Sequence, residues 1–260
     1  MADVDASLLW YCRQVAERHV VAISGECSDE VFGGYPWFYR PEMLAADTFP
    51  WCPVLAHRTE VLNPELVSQI HLGDYVQARY QNSVAQTPLL PGEDPTERKR
   101  RQVGWLSIQW FMTALLERKD RMSMYSGLEV RVPFCDHSLV EYVWNIPWVM
   151  KSKDGVRKQV LRDAFAHLLP QDVRSRPKSP YPKTHHPAYE ALVRRELTQV
   201  LQDHNAPIQP LVNREALEEG LLKNGGDYGK PWFGQLMAGP QMMAYLLQLN
   251  SWMERFHITL

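Results

Sequence analysis

Ser24, Glu26, Asp29 and the pair Gly33-Gly34 crowd one short stretch, SGECSDEVFGGYPWFY at 24–39. It follows the apolar run HVVAIS at 19–24, which reads as a buried strand. At a strand end, Ser24-Gly25 lets backbone amides approach a ligand closely, because glycine adds no side chain and permits positive φ. Glu26 and Asp29 stand three apart, so a helix starting at Gly25 would turn both carboxylates back toward the strand end. Two carboxylates suit a hard cation such as Mg²⁺, which takes oxygen ligands and bridges protein to phosphate. They also suit divided labour, one binding metal and the other moving a proton. On composition alone, the same residues fit an N-cap with acids complementing a helix dipole.

Lys178, in RSRPKSPYP, is a second candidate. A fixed cation there offsets charge that builds on a departing phosphate, and Pro177 and Pro180 restrict the loop that carries it. The alternative is one more solvated lysine in a basic loop beside Arg174 and Arg176. The run ERKDRMSMYSGLEVRVPF mixes Glu117, Arg118, Lys119, Asp120 and Arg121 with apolar residues. It reads as a charge network locking a helix to a sheet, with Arg131 a buried partner for one of the acids. His185-His186, among prolines and without an i+4 partner, reads as an exposed loop. Tyr35, Trp37, Phe38 and Tyr39 read as core rather than a stacking platform.

The elements that must position these groups start with an amphipathic helix over 4–18, then the strand at 19–24. Helix, buried strand and Gly-rich loop form the grammar of an α/β domain, whose ligand sites lie beyond the carboxyl ends of its strands. Downstream, periodicity predicts helices at about 64–83, 96–118, 136–146, 155–168, 187–203, 213–223 and 235–253. Asn63 caps the first, with Pro64 at its first position. The other strand candidate is LEVRVPF at 128–134, whose proline argues for an edge. One buried parallel strand cannot satisfy its own backbone groups, so the other strands of its sheet are expected elsewhere. Its open edge invites self-association.

The chain has 260 residues, enough for one sizeable core or two small ones. A net charge of -2 gives no long-range attraction to nucleic acid or anionic membrane. The one dense basic cluster, ERKRR at 97–101, reads as a solvated helix start. Four cysteines without a C-x-x-C pair suggest neither a disulfide framework nor a zinc site, and a cytoplasmic setting is expected. No apolar stretch reaches the roughly 18 residues of a membrane span.

The order of the site residues resembles the synthetase half of the class-B asparagine synthetases, whose motif reads S-G-E-x-x-D-E-x-F-G-G-Y. The resemblance continues through LLERKDRMSMYSGLEVRVPFCDHSLVEY at 115–142 and DGVRKQVLRDAFAHLLPQDVRSRPKSPYP at 154–182. It implies an α/β fold of the adenine-nucleotide α-hydrolase-like (PP-loop) type, incomplete here, in a chain predominantly helical with one or two strands. Residues 1–260 would be the C-terminal portion of a synthetase domain, with 1–40 a remnant of the nucleotide-binding core and 41–260 mostly helical. The implied enzyme is an ATP-dependent carbon–nitrogen ligase that adenylates the aspartate β-carboxylate, after which ammonia displaces AMP. The implied roles place Ser24 and Gly25 on the nucleotide, Glu26 and Lys178 in catalysis, and Asp29 on Mg²⁺-pyrophosphate. Position 27 is cysteine where the family often has glycine or another small residue, and its thiol reads as a small packed hydrophobe.

The family's S-G-G-x-D-S pyrophosphate loop does not occur in these residues, whose only Ser-Gly pairs are 24–25 and 126–127. The family's glutaminase domain, which draws ammonia from glutamine, needs an N-terminal cysteine, whereas the first cysteine here is Cys12. The expectation is therefore a fragment of a longer enzyme, inactive alone. The alternatives are a non-catalytic remnant or interaction module, and a related amide-forming ligase of β-lactam synthetase-like or peptide-cyclising type.

Overall fold

The computed structural model describes residues 3–179, 181, 184, 186–228, 231–234 and 236–259. Helix α1 (Val4–Ala16) leads into strand β1 (Val21–Ile23). β1 pairs in parallel with β2 (Glu129–Arg131), setting Val21 beside Glu129, Ala22 beside Val130 and Ile23 beside Arg131. Side chains alternate across a strand. Ala22 and Val130 therefore pack on the buried Leu8, Cys12 and Leu128, whereas Val21 and Ile23 turn to the other face.

That second face corrects the expectation of a buried strand, because Ile23 is 78% exposed and Val21 41%. No further strand covers it among the described residues. Arg131 follows Ile23 onto the same face and pairs with Glu129 at 2.8 Å in an exposed setting. It is not a buried partner of the 117–121 acids, since its register position points it at solvent.

These strands belong to a compact unit of Leu8–Pro50 and Arg79–Ser179. Its backbone is a long helical run capped by Asp94, whose side chain accepts from the Thr96 and Glu97 amides. The run begins at Pro95, passes through a π-helical stretch at Ser107–Met112 and ends at Tyr125. A π-turn shifts the facing residues relative to α spacing. Here Phe111 meets the stacked rings of Tyr35 and Trp37 edge-on, while Trp37 Nε1 donates to Ser107 Oγ at 3.2 Å. The basic cluster at its start is only partly solvated. Arg101 pairs with Glu93 and lies over Trp144, and Arg100 lies over Trp148.

The helix expected over 155–168 forms only at Gln159–Ala164. Ahead of it lies an antiparallel hairpin, β3 (Ser152–Lys153) and β4 (Val156–Arg157), which the sequence reading missed. Its two turn residues, Asp154 and Gly155, have φ of 52° and 76°. An Asp-Gly pair tolerates positive φ at both central positions, and such turns match the twist of the flanking strands.

The second unit comprises Met1–Ser7, Trp51–Ala78 and Pro180–Leu260. The helices Pro187–Gln202 and Gly239–Arg255 enclose its core, in which Leu197, Ile208, Leu217, Leu221 and Met243 are fully buried. The helix expected over 64–83 divides at His71, whose φ of 46° ends one segment before the next begins. His186 caps Pro187–Gln202 by accepting from the Ala188 amide at 3.1 Å. The sequence readings at Pro180, His185 and Gln235 lie outside the described residues. No described helix is long and apolar enough to cross a membrane.

The open β1 face leads to a prediction. Exposed apolar residues on an unpaired strand edge promote association between chains. The chain should sediment as dimers or larger species at micromolar concentration, and Ile23→Lys should shift it toward monomer. Sedimentation as a compact wild-type monomer would count against this.

Candidate active site

β1 ends where Ser24 donates its amide to the Arg131 carbonyl at 2.9 Å. Gly25 follows with negative φ and open space around its Cα, so it makes room without using the left-handed region. That region is used one step later, at Cys27, with φ of 72°. Helix α2 (Ser28–Phe32) then starts at Ser28 rather than Gly25. Glu26 therefore precedes the helix and shares no helical face with Asp29, which corrects the arrangement expected from their spacing.

The two carboxylates serve different lysines. Glu26 Oε1 lies 3.4 Å from Lys119 Nζ, both side chains being mostly buried. Glu26 Oε2 is buried with no hydrogen-bond partner among the described residues. Asp29 receives two ammonium groups at once, Lys158 at 2.7 Å from Oδ1 and Lys178 at 2.5 Å from Oδ2. Lys158 Nζ also donates to Ser28 Oγ at 2.9 Å. Lys178 Nζ stands 5.0 Å over the Tyr35 ring, whose hydroxyl donates to Glu30 Oε1 at 2.7 Å. Of the expected site residues, Asp29 and Lys178 thus meet directly. Lys119, which the sequence placed only in a helix-to-sheet charge network, and Lys158, to which it gave no role, are additions to the site.

The paired glycines make this cluster possible. Gly33 closes α2 at φ of 70°, and a Cβ there would come within 2.6 Å of the Trp148 ring. A Cβ on Gly34 would overlap Asp29 Oδ1 and lie 2.7 Å from Lys158 Cε. Only a bare Cα fits between the carboxylate and the lysine stem.

Each lysine is placed by backbone rather than by its own flexible stem. Lys158 leaves the Asp154-Gly155 hairpin in a left-handed conformation, φ 57°. Its neighbour Arg157 donates from Nη1 to the Gly34 carbonyl at 3.3 Å and lies over the Tyr39 ring. Arg162 then gathers three carbonyls with one guanidinium: Arg157 at 2.9 Å, Arg176 at 3.0 Å, and Arg174. The segments bearing Lys158 and Lys178 are thereby tied to one planar donor.

Burial pushes the Asp29 carboxyl up, but the adjacent Lys158 and Lys178 pull it down harder and hold it below the usual carboxylate range. Glu30 goes the opposite way, because burial raises its carboxyl despite the hydrogen bond from Tyr35. Burial also raises the Cys27 thiol, and the nearby Cys135 thiol adds to the effect. A raised, buried thiol is a poor nucleophile, in keeping with a packing role.

The Mg²⁺ expected at Asp29 competes with these neighbours. Both carboxylate oxygens carry an ammonium group, and a dication would have to displace at least one of them. No group of three or more His, Cys, Asp or Glu side chains forms a metal site among the described residues. The residues as arranged do not fit the ion. The excess of three lysines over two carboxylates instead suits an anion carried on phosphate.

Comparison with known proteins assigns the chain to a family. The profile of the Asparagine synthase family matches residues 1–254. Glutamine-hydrolysing asparagine synthetase 3 of Bacillus subtilis (strain 168) is 48% identical over 258 residues, 99% of this chain and 42% of that protein. Glutamine-hydrolysing asparagine synthetase 1 of the same organism is 30% identical over 70% of this chain and 34% of its own length. The asparagine synthetase of Rattus norvegicus is 42% identical over 67 residues, 25% of this chain. The chain thus spans less than half the length of the curated relatives it matches.

The Asp29 cluster generates two predictions. Removing the one carboxylate leaves two partly buried ammonium groups uncompensated, so Asp29→Asn should cost about 2 kcal/mol at neutral pH. A depressed carboxyl stabilises the fold above its unfolded value of about 3.9, and that contribution fades as pH falls through the lower folded value. Urea unfolding at stepped pH should therefore show wild type and Asp29→Asn converging in acid. A gap that persists unchanged to the lowest pH would refute the electrostatic origin. Gly34→Ala should destabilise by about 1–3 kcal/mol through overpacking, read by the same unfolding assay. If that variant proves as stable as wild type, the close approach is contradicted.

Proposed function

This chain belongs to the asparagine synthase family, a ligase family that uses ATP, and we propose that it supplies the acyl-activation side of an asparagine-forming site. In this reading the enzyme joins the aspartate β-carboxylate to AMP, releases pyrophosphate, and lets ammonia displace AMP. The observation that carries the reading is the placement of Lys119, Lys158 and Lys178 around Glu26 and Asp29, just past the end of β1. Ligand sites in α/β sheets lie beyond the carboxyl ends of strands.

Charge accumulates on the phosphate as the adenylate forms and again as AMP departs. Fixed cations at that place stabilise the transition state without reorganising. Lys178 is assigned this task, with Lys158 beside it and Asp29 holding both ammonium groups in position. Ser24 and Gly25, at the strand end with open space around Gly25, are assigned to the nucleotide. Glu26 is assigned to the ammonia step, because its buried Oε2 is free to accept from an incoming N–H while Lys119 anchors Oε1. As base it would take the proton that ammonia sheds on attack.

These 260 residues contain no S-G-G-x-D-S sequence. The assigned groups work with a phosphate-binding segment supplied by another part of the enzyme, and ammonia comes from glutamine at a separate centre. The 260-residue chain by itself is assigned no turnover.

The test uses the chain within an enzyme that carries such a segment, following aspartate-dependent AMP release. Glu26→Gln and Lys178→Met should each lower kcat on the order of a hundredfold, equivalent to about 3 kcal/mol, with the KM for ATP changed far less. Variants that melt early yet turn over normally per folded molecule would overturn the assignment. Aspartate-dependent AMP formation by the purified 260-residue chain would overturn the division of the site.

A further inference from the structure

Lys151 closes the short helix Trp148–Lys151, and its side chain lines a cavity of about 50 Å³ beside the indoles of Trp144 and Trp148. None of Glu26, Asp29, Lys119, Lys158 and Lys178 lines this cavity, so it is distinct from the cluster described above. The side chain of Lys151 forms no ion pair or hydrogen bond among the described residues. The other charged groups on the cavity wall are already engaged. Arg100 pairs with Glu97 at 2.8 Å, Arg101 pairs with Glu93, and Glu30 accepts from the Tyr35 hydroxyl. The adjoining hairpin and the helix Gln159–Ala164 bring Lys153, Asp154, Arg157, Arg162 and Asp163 nearby, and none of them lines the cavity.

Burial pushes the Lys151 ammonium down to about 8, with the Arg101 charge adding to the effect and Glu97 opposing it. At pH 8 an ordinary lysine, near 10.4, is neutral in under about 1% of molecules, whereas Lys151 is neutral in about half. The neutral amine, not the ammonium, carries the lone pair that attacks a carbonyl carbon, and desolvation is one way a lysine is made nucleophilic. The cavity then selects the reagent by size. A buried water needs at least about 10–15 Å³, so this space admits about three or four heavy atoms and shuts out larger acyl donors. Arg100, on the same wall, keeps its Nε buried with no acceptor. A buried donor left unmet is costly, and the protein supplies no group to answer this one.

We propose that Lys151 is a site of reversible carbamate formation with carbon dioxide, the new carboxylate accepting a hydrogen bond from Arg100 Nε. The Lys151 nitrogen bonds to the carbon of carbon dioxide while one C=O π pair moves onto oxygen. The nitrogen then releases a proton to solvent, leaving an N-bound carboxylate, with nothing oxidised or reduced. The step replaces an unpartnered amine by an anion facing Arg100 and Arg101. It thereby ties the helix Trp148–Lys151 to the helical run that begins at Pro95. The proposal goes beyond the amide-forming reading. It uses none of the groups assigned there, and it is measured without ATP, aspartate, ammonia or turnover.

Trapping on the 260-residue chain tests it. The chain is equilibrated with ¹³C-bicarbonate at pH 8, carbamates are fixed as methyl esters with trimethyloxonium, and the label is located by peptide mass. Lys151 should carry at least about tenfold more label than any other lysine, as its larger neutral fraction requires. The α-amino group, neutral in a similar fraction, serves as the internal standard. At constant dissolved carbon dioxide, lowering the pH from 8 to 6 should reduce the Lys151 label at least about tenfold. Arg100→Lys keeps a cation facing Glu97 but lacks Nε, and should carry about tenfold less label, the loss expected for one hydrogen bond to a charged group. Bicarbonate should raise the melting temperature of wild type but not of Lys151→Met, and formate at matched ionic strength should raise neither. Label spread evenly over the lysines, a Lys151 label undiminished at pH 6 or in Arg100→Lys, or equal stabilisation by formate, the mark of a simple anion site, would each overturn the proposal.

Discussion

Two ammonium groups share one carboxylate at Asp29, with all three side chains only about one-fifth exposed. Charges so far removed from water are costly unless compensated at short range. With one carboxylate against two cations, the cluster keeps an excess positive charge and cannot be left loosely held. Much of the surrounding backbone follows from that demand. Gly34 has no side chain because the carboxylate and a lysine stem occupy the space. Gly33 turns the chain out of α2 in time to let them do so. The Asp154-Gly155 hairpin and the three-carbonyl grip of Arg162 bring the lysines in from two separate segments.

The same arrangement separates three carboxylates within the five residues 26–30. Asp29 is held ionised by its cations, whereas Glu30, one residue later, is raised by burial and answers to Tyr35. Glu26 stands apart, on the strand side of the left-handed Cys27, with one oxygen toward Lys119 and one unengaged. A helix beginning at Gly25 would have merged Glu26 and Asp29 into one acidic patch. The left-handed residue prevents this, and in the proposed reaction it keeps the group that receives ammonia distinct from the group that holds the phosphate-facing cations.

Motif and spacing made part of this legible. The strand and its Gly-rich turn, a second strand within 128–134 and the aromatic core at 35–39 all follow from local pattern, whereas the pairing of the two strands does not. Lys178 could be singled out only through resemblance, since a basic loop otherwise reads as solvated. One pairing was not local, and two local signals pointed elsewhere. Lys119 sits in a run of charges whose partner, Glu26, is far away in sequence, and no periodicity reveals that pairing. Lys158 was hidden by a helix drawn too early, although Asp154-Gly155 between two short extended pairs carried a hairpin signal. Arg131 was misjudged because a three-residue strand covered on one face leaves every second side chain to solvent, and parity alone decided which.

The central claim is that Asp29 and the two lysines form one coupled unit rather than a chance surface contact. A double-mutant cycle between Asp29→Asn and Lys178→Met, read by urea unfolding at neutral pH, measures that coupling most directly. The account predicts an interaction energy of about 1–3 kcal/mol, as found for residues within one charged network. Additivity of the two substitutions within about 0.3 kcal/mol would contradict it.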